Sequence, residues 1–343
     1  MMNTMKPARL MSWFAKFGLA IAAFWSALPA VASAQSPSGF ELLGRGINYG
    51  NIFEAPEEGA WGLRFDDAYP KLVREAGFDS VRIPIRWSAH GQSRAPFTLD
   101  ADFVQRIQHA VKLSLDQNLK VILNVHHYEE LYADPAAEKE RFLSIWRQLS
   151  DLFAHADERM FFEILNEPHG NLKAPEWNAM LVEALQIIRQ KHPKRWVIVG
   201  PDHWNNLSAL PNLQLPASDR HLIVTVHYYL PFPFTHQGAS WVQPPQPEGV
   251  RWSGSPEEVA AMEKDFQGVI DWAKKNERPI YVGEFGAFEK ADQQSRAKWT
   301  KQVRSICEKN GFSWAYWELA SGFGVLDRDS KTWKTPLLEA LVK

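Results

Sequence analysis

Short apolar runs recur along this chain with a period-two or continuous hydrophobic character, and amphipathic stretches separate most of them. The runs are LLGRGINY (42–49), SVRIPI (80–85), LKVILNV (119–125), MFFEIL (160–165), RWVIVG (195–200), LIVTVH (222–227), PIYVGE (279–284) and FSWAYW (312–317). Each has strand length and is rich in Val, Ile or aromatic residues. Between them, helical spacing is plain: Phe103, Ile107 and Val111 follow Asp100, and Trp177, Leu181, Leu185 and Ile188 recur further on. The sequence Ser255-Pro256-Glu257-Glu258 predicts a helix start, with Ser255 as N-cap and Glu258 reaching back. Strands this apolar, alternating with helices, imply a parallel sheet covered on its outer face. Eight such units in one chain fit an α/β fold of the (β/α)8 barrel type. An open doubly wound sheet is the alternative, but no G-x-G-x-x-G follows the first run.

The first 34 residues stand apart. Lys6, Arg9 and Lys16 precede a long apolar run, and Ala32-Ser33-Ala34 offers a small-x-small cleavage site. Residues 1–34 are therefore expected to be a secretory signal peptide, and 35–343 a single catalytic domain, secreted to the periplasm or the medium. No serine-, glycine- or proline-rich linker divides the rest. Residues 229–254 read as one long Pro- and aromatic-rich loop laid over one face. The formal charge of −2, which becomes more acidic once a leader with three basic residues is gone, gives no electrostatic reason to bind nucleic acid or an anionic membrane. A single cysteine, Cys307, permits no intrachain disulfide and reads as helix packing.

Polar groups gather where the runs end. In a barrel these C-terminal strand tips form the bowl that carries chemistry. They supply Asn48 and Asn51, Arg82, His126 and His127, Asn166 and Glu167, His227 to Tyr229, Glu284 and Trp317; only the fifth run ends without one. Two are carboxylates, Glu167 on the fourth strand and Glu284 on the seventh, which would face each other across the ring. An opposed pair is the minimal machinery for cleaving an acetal, one protonating the leaving oxygen while the other attacks or activates water. Glu163 lies within the fourth run, where a charge needs a partner, and Arg82 is the candidate. Neighbouring strand residues point to opposite faces, so His126 and His127 are not expected to share an ion, and neither metal nor cofactor is expected. Trp61, Trp204, Trp241 and Trp252 read equally as sugar platforms or as packing.

The segments FFEILNEPHG (161–170) and PIYVGEFGAF (279–288), with GRGINYGN, VRIPIRW, NVHHYEE, TVHYY, FTHQGA and WAYWELASGFGV in barrel order, resemble glycoside hydrolase family five. The likeness is greatest to bacterial endo-β-1,4-glucanases of that family with side activity on mannan. The resemblance implies Glu167 as acid/base and Glu284 as nucleophile of a retaining enzyme. It further implies that Asn166 holds the sugar 2-hydroxyl, Arg82 and Tyr229 hold the nucleophile, and His227 holds the acid/base. His126, His127 and Asn51 would contact sugar, with Trp317 as platform and a cis peptide to Glu318. Charge on Glu284 is expected to raise the pKa of Glu167. The partner implied is a β-1,4-linked polysaccharide or oligosaccharide, cleaved by a monomer. A dedicated β-mannanase is the neighbouring possibility, and a non-catalytic polysaccharide-binding barrel the one from another class.

Overall fold

Each apolar run becomes a strand in the computed structural model, which describes residues 38–343. The expected leader, 1–34, lies outside the described residues. The strands are β1 (Arg45–Asn48), β2 (Ser80–Ile83), β3 (Lys120–Asn124), β4 (Met160–Glu163), β5 (Val197–Val199), β6 (Leu222–Tyr228), β7 (Ile280–Phe285) and β8 (Ser313–Tyr316). Each pairs in parallel with the next, and β8 returns to β1, so the sheet closes into the expected barrel. Strands β4 and β7 stand three places apart on the ring.

Side chains alternate across the barrel wall. Val81, Leu123, Phe162, Val199, Val226, Val282 and Trp314 join the large outer core beneath the helices. Helix Ala101–Asp116 presents Phe103, Ile107 and Val111 to it, after Asp100 accepts the Phe103 amide. Helix Ala174–Lys191 buries Trp177, Leu181, Leu185 and Ile188. The predicted capping box is present at Ser255 and Glu258, opening helix Pro256–Asn276. Cys307 is buried in helix Gln293–Lys309.

Inward-facing residues form a second, smaller cluster of Ile122, Phe161, Ile198, Ile223, Tyr281 and Ala315, joined by Leu43. Leu43 corrects the first expectation. The run 42–49 is not one strand, because Leu42 and Leu43 close a short helix, Gly39–Leu43, begun by a Ser38–Glu41 capping box and ended by Gly44 at φ 67°. This helix plugs the barrel floor. Above the apolar floor lies a fully buried polar layer of Asn48, Arg82, Asn124, Glu163 and Thr225.

Strand β7 breaks the alternation. Tyr281 belongs to the inner cluster, whereas Val282 and Phe285 both belong to the outer core. The register shifts against both neighbours, between Val226 and His227 on β6 and between Val282 and Phe285 facing β8. The intervening Gly283 and Glu284 therefore share the inner side, a bulge that re-aims one side chain. Gly283 suits the tight spot, since a Cβ there would lie 2.6 Å from Thr225 Oγ1 and 3.2 Å from His227 Nε2. Without the bulge, Glu284 would point at the helices.

The floor and the bowl are separable. Leu43→Ala should lower stability by about 2–5 kcal/mol, the usual range for a large-to-small change in a core. The check is a lower urea midpoint at unchanged slope.

Candidate active site

Arg82 organises the bowl from below. Its guanidinium, fully buried, donates from Nε and Nη2 to Glu163 at 2.6 and 2.7 Å, a bidentate pair. Nη1 donates to Asn48 Oδ1 at 2.9 Å and to Glu284 Oε1 at 2.7 Å, while Nη2 also reaches Asn166 Oδ1 at 2.7 Å. The predicted Arg82–Glu163 partnership is thus present. Asn48 passes the order on, donating to the carbonyls of Gly283 (3.0 Å) and Tyr316 (3.2 Å).

Glu284 is held at both oxygens, since the Tyr229 hydroxyl donates to Oε2 at 2.9 Å. Glu167 follows β4 with a left-handed φ of 45°, and its Oε1 lies 2.7 Å from His227 Nδ1. The preceding residue is pinned by its amide to Val125 O at 2.8 Å and by Tyr132 OH to its carbonyl at 2.5 Å. His227 also comes within 3.6 Å of Glu284 Oε2. One donor atom each from Glu167, His227 and Glu284 lie within 4.8 Å of one another. The two carboxylates therefore meet over the bowl, as opposed strands required.

Burial governs the protonation of this cluster. It lifts Glu167 to about 7, with the charge of Glu163 adding to the rise and Arg82 and His169 opposing it. The sequence reading named only the charge of Glu284: loss of water is the main cause, Glu163 adds a second repelling charge, and the repulsion between Glu167 and Glu284 is mutual. Burial also raises Glu284, against the pull of His227, Arg82 and Tyr229, and Glu167 pushes in the same upward direction. His227 falls to about 4 through desolvation, so its imidazole is neutral near pH 7.

The remaining expected residues flank these groups. His126 accepts from Asn124 Nδ2 at 3.1 Å and stacks parallel to Trp317, ring centroids 5.8 Å apart. The Trp317–Glu318 peptide is cis, as the resemblance implied. His127 departs from the expectation of an opposite face. Both histidines lie past the end of β3, and His127 has φ 49°, which folds its ring back to 4.6 Å from that of His126. Asn51 is likewise left-handed, at φ 64°, and its amide binds the buried carboxyl of Glu54. Of the four loop tryptophans, Trp252 is core, whereas Trp61, Trp204 and Trp241 are 42%, 54% and 59% exposed. Trp61 lies edge-on to His127 at 5.7 Å. Trp204 stacks on His169 at 4.7 Å, and Trp241 joins Phe288 and Phe323.

Three buried polar side chains had no role in the sequence reading, which named Glu318 only for its peptide bond. Glu54, pushed by burial to about 8, braces the loop at Asn51 and Ile52. Glu318, at about 7 for the same reason, accepts the amides of Ala320, Ser321 and Phe323 at 2.8–3.2 Å. Asn205 reaches His227 from the turn after β5. The signal for the first two was acidic residues within otherwise apolar loop ends, IFEA and YWELA. Asn205 carried none.

Comparison with known proteins follows this geometry. Residues 43–322 match the family profile "Cellulase (glycosyl hydrolase family 5)". Endoglucanase H of Acetivibrio thermocellus is 34% identical over 327 residues, 92% of this chain, which spans only 35% of that longer protein. Endoglucanase Cel5A of Thermotoga maritima is 48% identical, with a TM-score of 0.87 covering 89% of this chain and 100% of that one. Its structures include complexes with cellobiose and with mannotriose. The cellulose synthase subunit Z of Clostridioides difficile is 40% identical, with a TM-score of 0.85 over 87% of this chain and 99% of that one.

Removing the charge beneath the bowl should show in two ways. Glu163→Gln should lower the titration midpoint of Glu167 below about 7, measured by carboxyl carbon-13 NMR, because a repelling charge goes and Arg82 is left less neutralised. It should also lower stability by about 3–5 kcal/mol, read from thermal melting, since it breaks a buried ion pair.

Proposed function

This chain belongs to the cellulases of glycosyl hydrolase family 5, and on that premise we propose that it is an endo-acting β-1,4-glucanase working with retention of configuration. The observation that carries the reading is the approach of Glu167 and Glu284 to within 4.8 Å. Carboxyl groups roughly 5–5.5 Å apart suit double displacement, whereas inversion needs roughly 6.5–9.5 Å to admit a water.

In the first step a Glu284 oxygen attacks the anomeric carbon. The glycosidic C–O bond breaks as Glu167 gives its proton to the departing oxygen. The glycosyl ester is then opened by water, Glu167 takes the water's proton, and Glu284 returns as carboxylate. Two inversions give net retention. The division of roles rests on hydrogen bonding: Arg82 and Tyr229 donate to both Glu284 oxygens and favour its charged form, while Glu167 has a neutral His227 at 2.7 Å with Asn166 beside it, no guanidinium donor, and a side chain 22% exposed to the bowl. Asn166 has its Oδ1 committed to Arg82, so its Nδ2 is the end that faces Glu167 and can donate to the sugar 2-hydroxyl. Trp317 supplies the sugar platform, with His126, His127 and Asn51 alongside.

Exposed indoles at Trp61, Trp204 and Trp241, in loops after β1, β5 and β6, support binding of several sugars on both sides of the cut, as endo-action requires. The substrate class is a β-1,4-glucan. A second reading, glucan and mannan together, is favoured by the Thermotoga maritima relative, seen with cellobiose and with mannotriose. Such polymers do not enter cells, so the expected leader at 1–34 fits export. Among the described residues no helix is long and apolar enough to cross a membrane. Every group of the site comes from one barrel, so a single chain suffices.

Cleavage of cellohexaose and mannohexaose, followed by proton NMR, tests the reading. Internal cuts and first-formed β-anomers are expected, and α-anomers would overturn it. Glu284→Gln should lower turnover on the order of 10^4-fold or more while oligosaccharide binding persists by calorimetry. Because Glu167 must enter the first step protonated, kcat/KM should fall as pH rises through about 7.

A further inference from the structure

The turn Asp202–Asn205, after β5, is built against backbone preference. His203, Trp204 and Asn205 are successive non-glycine residues at φ 55°, 58° and 52°. L-residues resist this region because Cβ crowds the following carbonyl, and such strain persists where its surroundings impose it. The result is two adjacent side chains with opposite destinations: Trp204 stands in solvent and Asn205 is fully buried. The Asn205 Oδ1 has no partner, while its Nδ2 lies 3.3 Å from His227 Nε2. An amide buried with one end unsatisfied is held for the end that is used.

A neutral imidazole has one N–H and one bare nitrogen. If Nε2 accepts from Asn205, the proton sits on Nδ1, which lies 2.7 Å from Glu167 Oε1. We propose that Asn205 is a positioning residue for the acid/base: its donation to Nε2 fixes the His227 proton on Nδ1, which occupies Glu167 Oε1 and leaves Oε2 to carry the transferable proton. A reversed amide would do the opposite. Oδ1 would accept an Nε2–H, and a bare Nδ1 would draw the Glu167 proton away from the substrate oxygen.

The surroundings favour the neutral ring on which this order depends. Glu167 and Glu163 face it from β4 and its loop, Glu284 from β7, Arg82 from β2 and His126 from the end of β3. Burial outweighs the carboxylates and holds His227 at about 4. Gly283 keeps the space beside Nε2 open.

The proposal rests on Glu167 as acid/base for its catalytic part and is tested without it for its hydrogen-bond order. In the full chain with nitrogen-15-labelled imidazoles, the His227 signal is the one lost in His227→Gln. It should show a protonated Nδ1 and a bare Nε2 between about pH 5 and 8. A protonated Nε2 overturns the proposal, whatever the enzyme hydrolyses. In kinetics, Asn205→Ala should lower kcat/KM on the order of tenfold for phenyl β-cellobioside, whose leaving group needs a proton. It should change that for 2,4-dinitrophenyl β-cellobioside by less than about twofold, because this group departs unaided. Asn205→Asp, similar in size but without the donor, should show the same selective loss on the phenyl substrate rather than restore activity. Equal losses on both substrates, as a merely structural residue would give, overturn the proposal. Failure of the glucanase reading itself would appear separately, as no cellobioside hydrolysis by the wild type.

Discussion

A guanidinium with no access to water sits where a barrel would ordinarily be filled by aliphatic side chains. That constraint shapes everything above it. Charge at such depth is tolerated only with a counter-charge and a full set of acceptors. Glu163 supplies the first through two parallel hydrogen bonds, and Asn48, Asn166 and Glu284 complete the second. Arg82 has a fixed fork of donors, so satisfying it fixes side chains from β1, β4, the loop after β4 and β7 at once. The geometry of the bowl is imposed from its base. Burial of this kind is weak evidence for added stability, and its effect is arrangement: Asn166 and Glu284 each turn one oxygen down toward Arg82, which orients the other end of the same side chain.

The sequence disclosed the features that composition and period can carry. Eight apolar runs gave eight strands, and the Ser255 box and the faces at Phe103 and Trp177 appeared where their spacing required. Glu163 was legible as a buried ion because it stood inside an apolar run. Where period failed, the backbone was the reason. His127, Glu167 and Asn205 all adopt left-handed φ without being glycine, so nothing in their identity announced a change of direction. The Leu42–Leu43 pair looked like the start of a strand, yet Gly44 separates it off as the lid of the floor. The cause of the Glu167 shift was hidden for another reason: desolvation depends on everything packed around a group, whereas sequence shows only which charges exist.

Tryptophans divide along the same line. Trp252 and its exposed counterparts have similar Pro- and Gly-rich neighbours, and no local pattern separates them. For Trp241 and Trp252 the outcome is set by how the long loop after β6 is tied. Gln237, fully buried, bonds the carbonyls of Phe234 and Val250 and the amide of Gly249, drawing the loop's second half against the barrel. Trp252 goes inward with that half, and Trp241, at the loop's outer bend, stays in water.

The extra residue in β7 uncouples two properties that a barrel enzyme would otherwise vary together. Rim segments can lengthen, shorten or exchange aromatics, and groove depth changes while the reactive oxygens stay put. The phase of β7 has no such freedom. Shortening it by one position would swing the carboxylate through the wall into the helical layer, however perfect the bowl remained. Divergence in this architecture is therefore channelled outward, into loops, around one strand whose count of residues is locked.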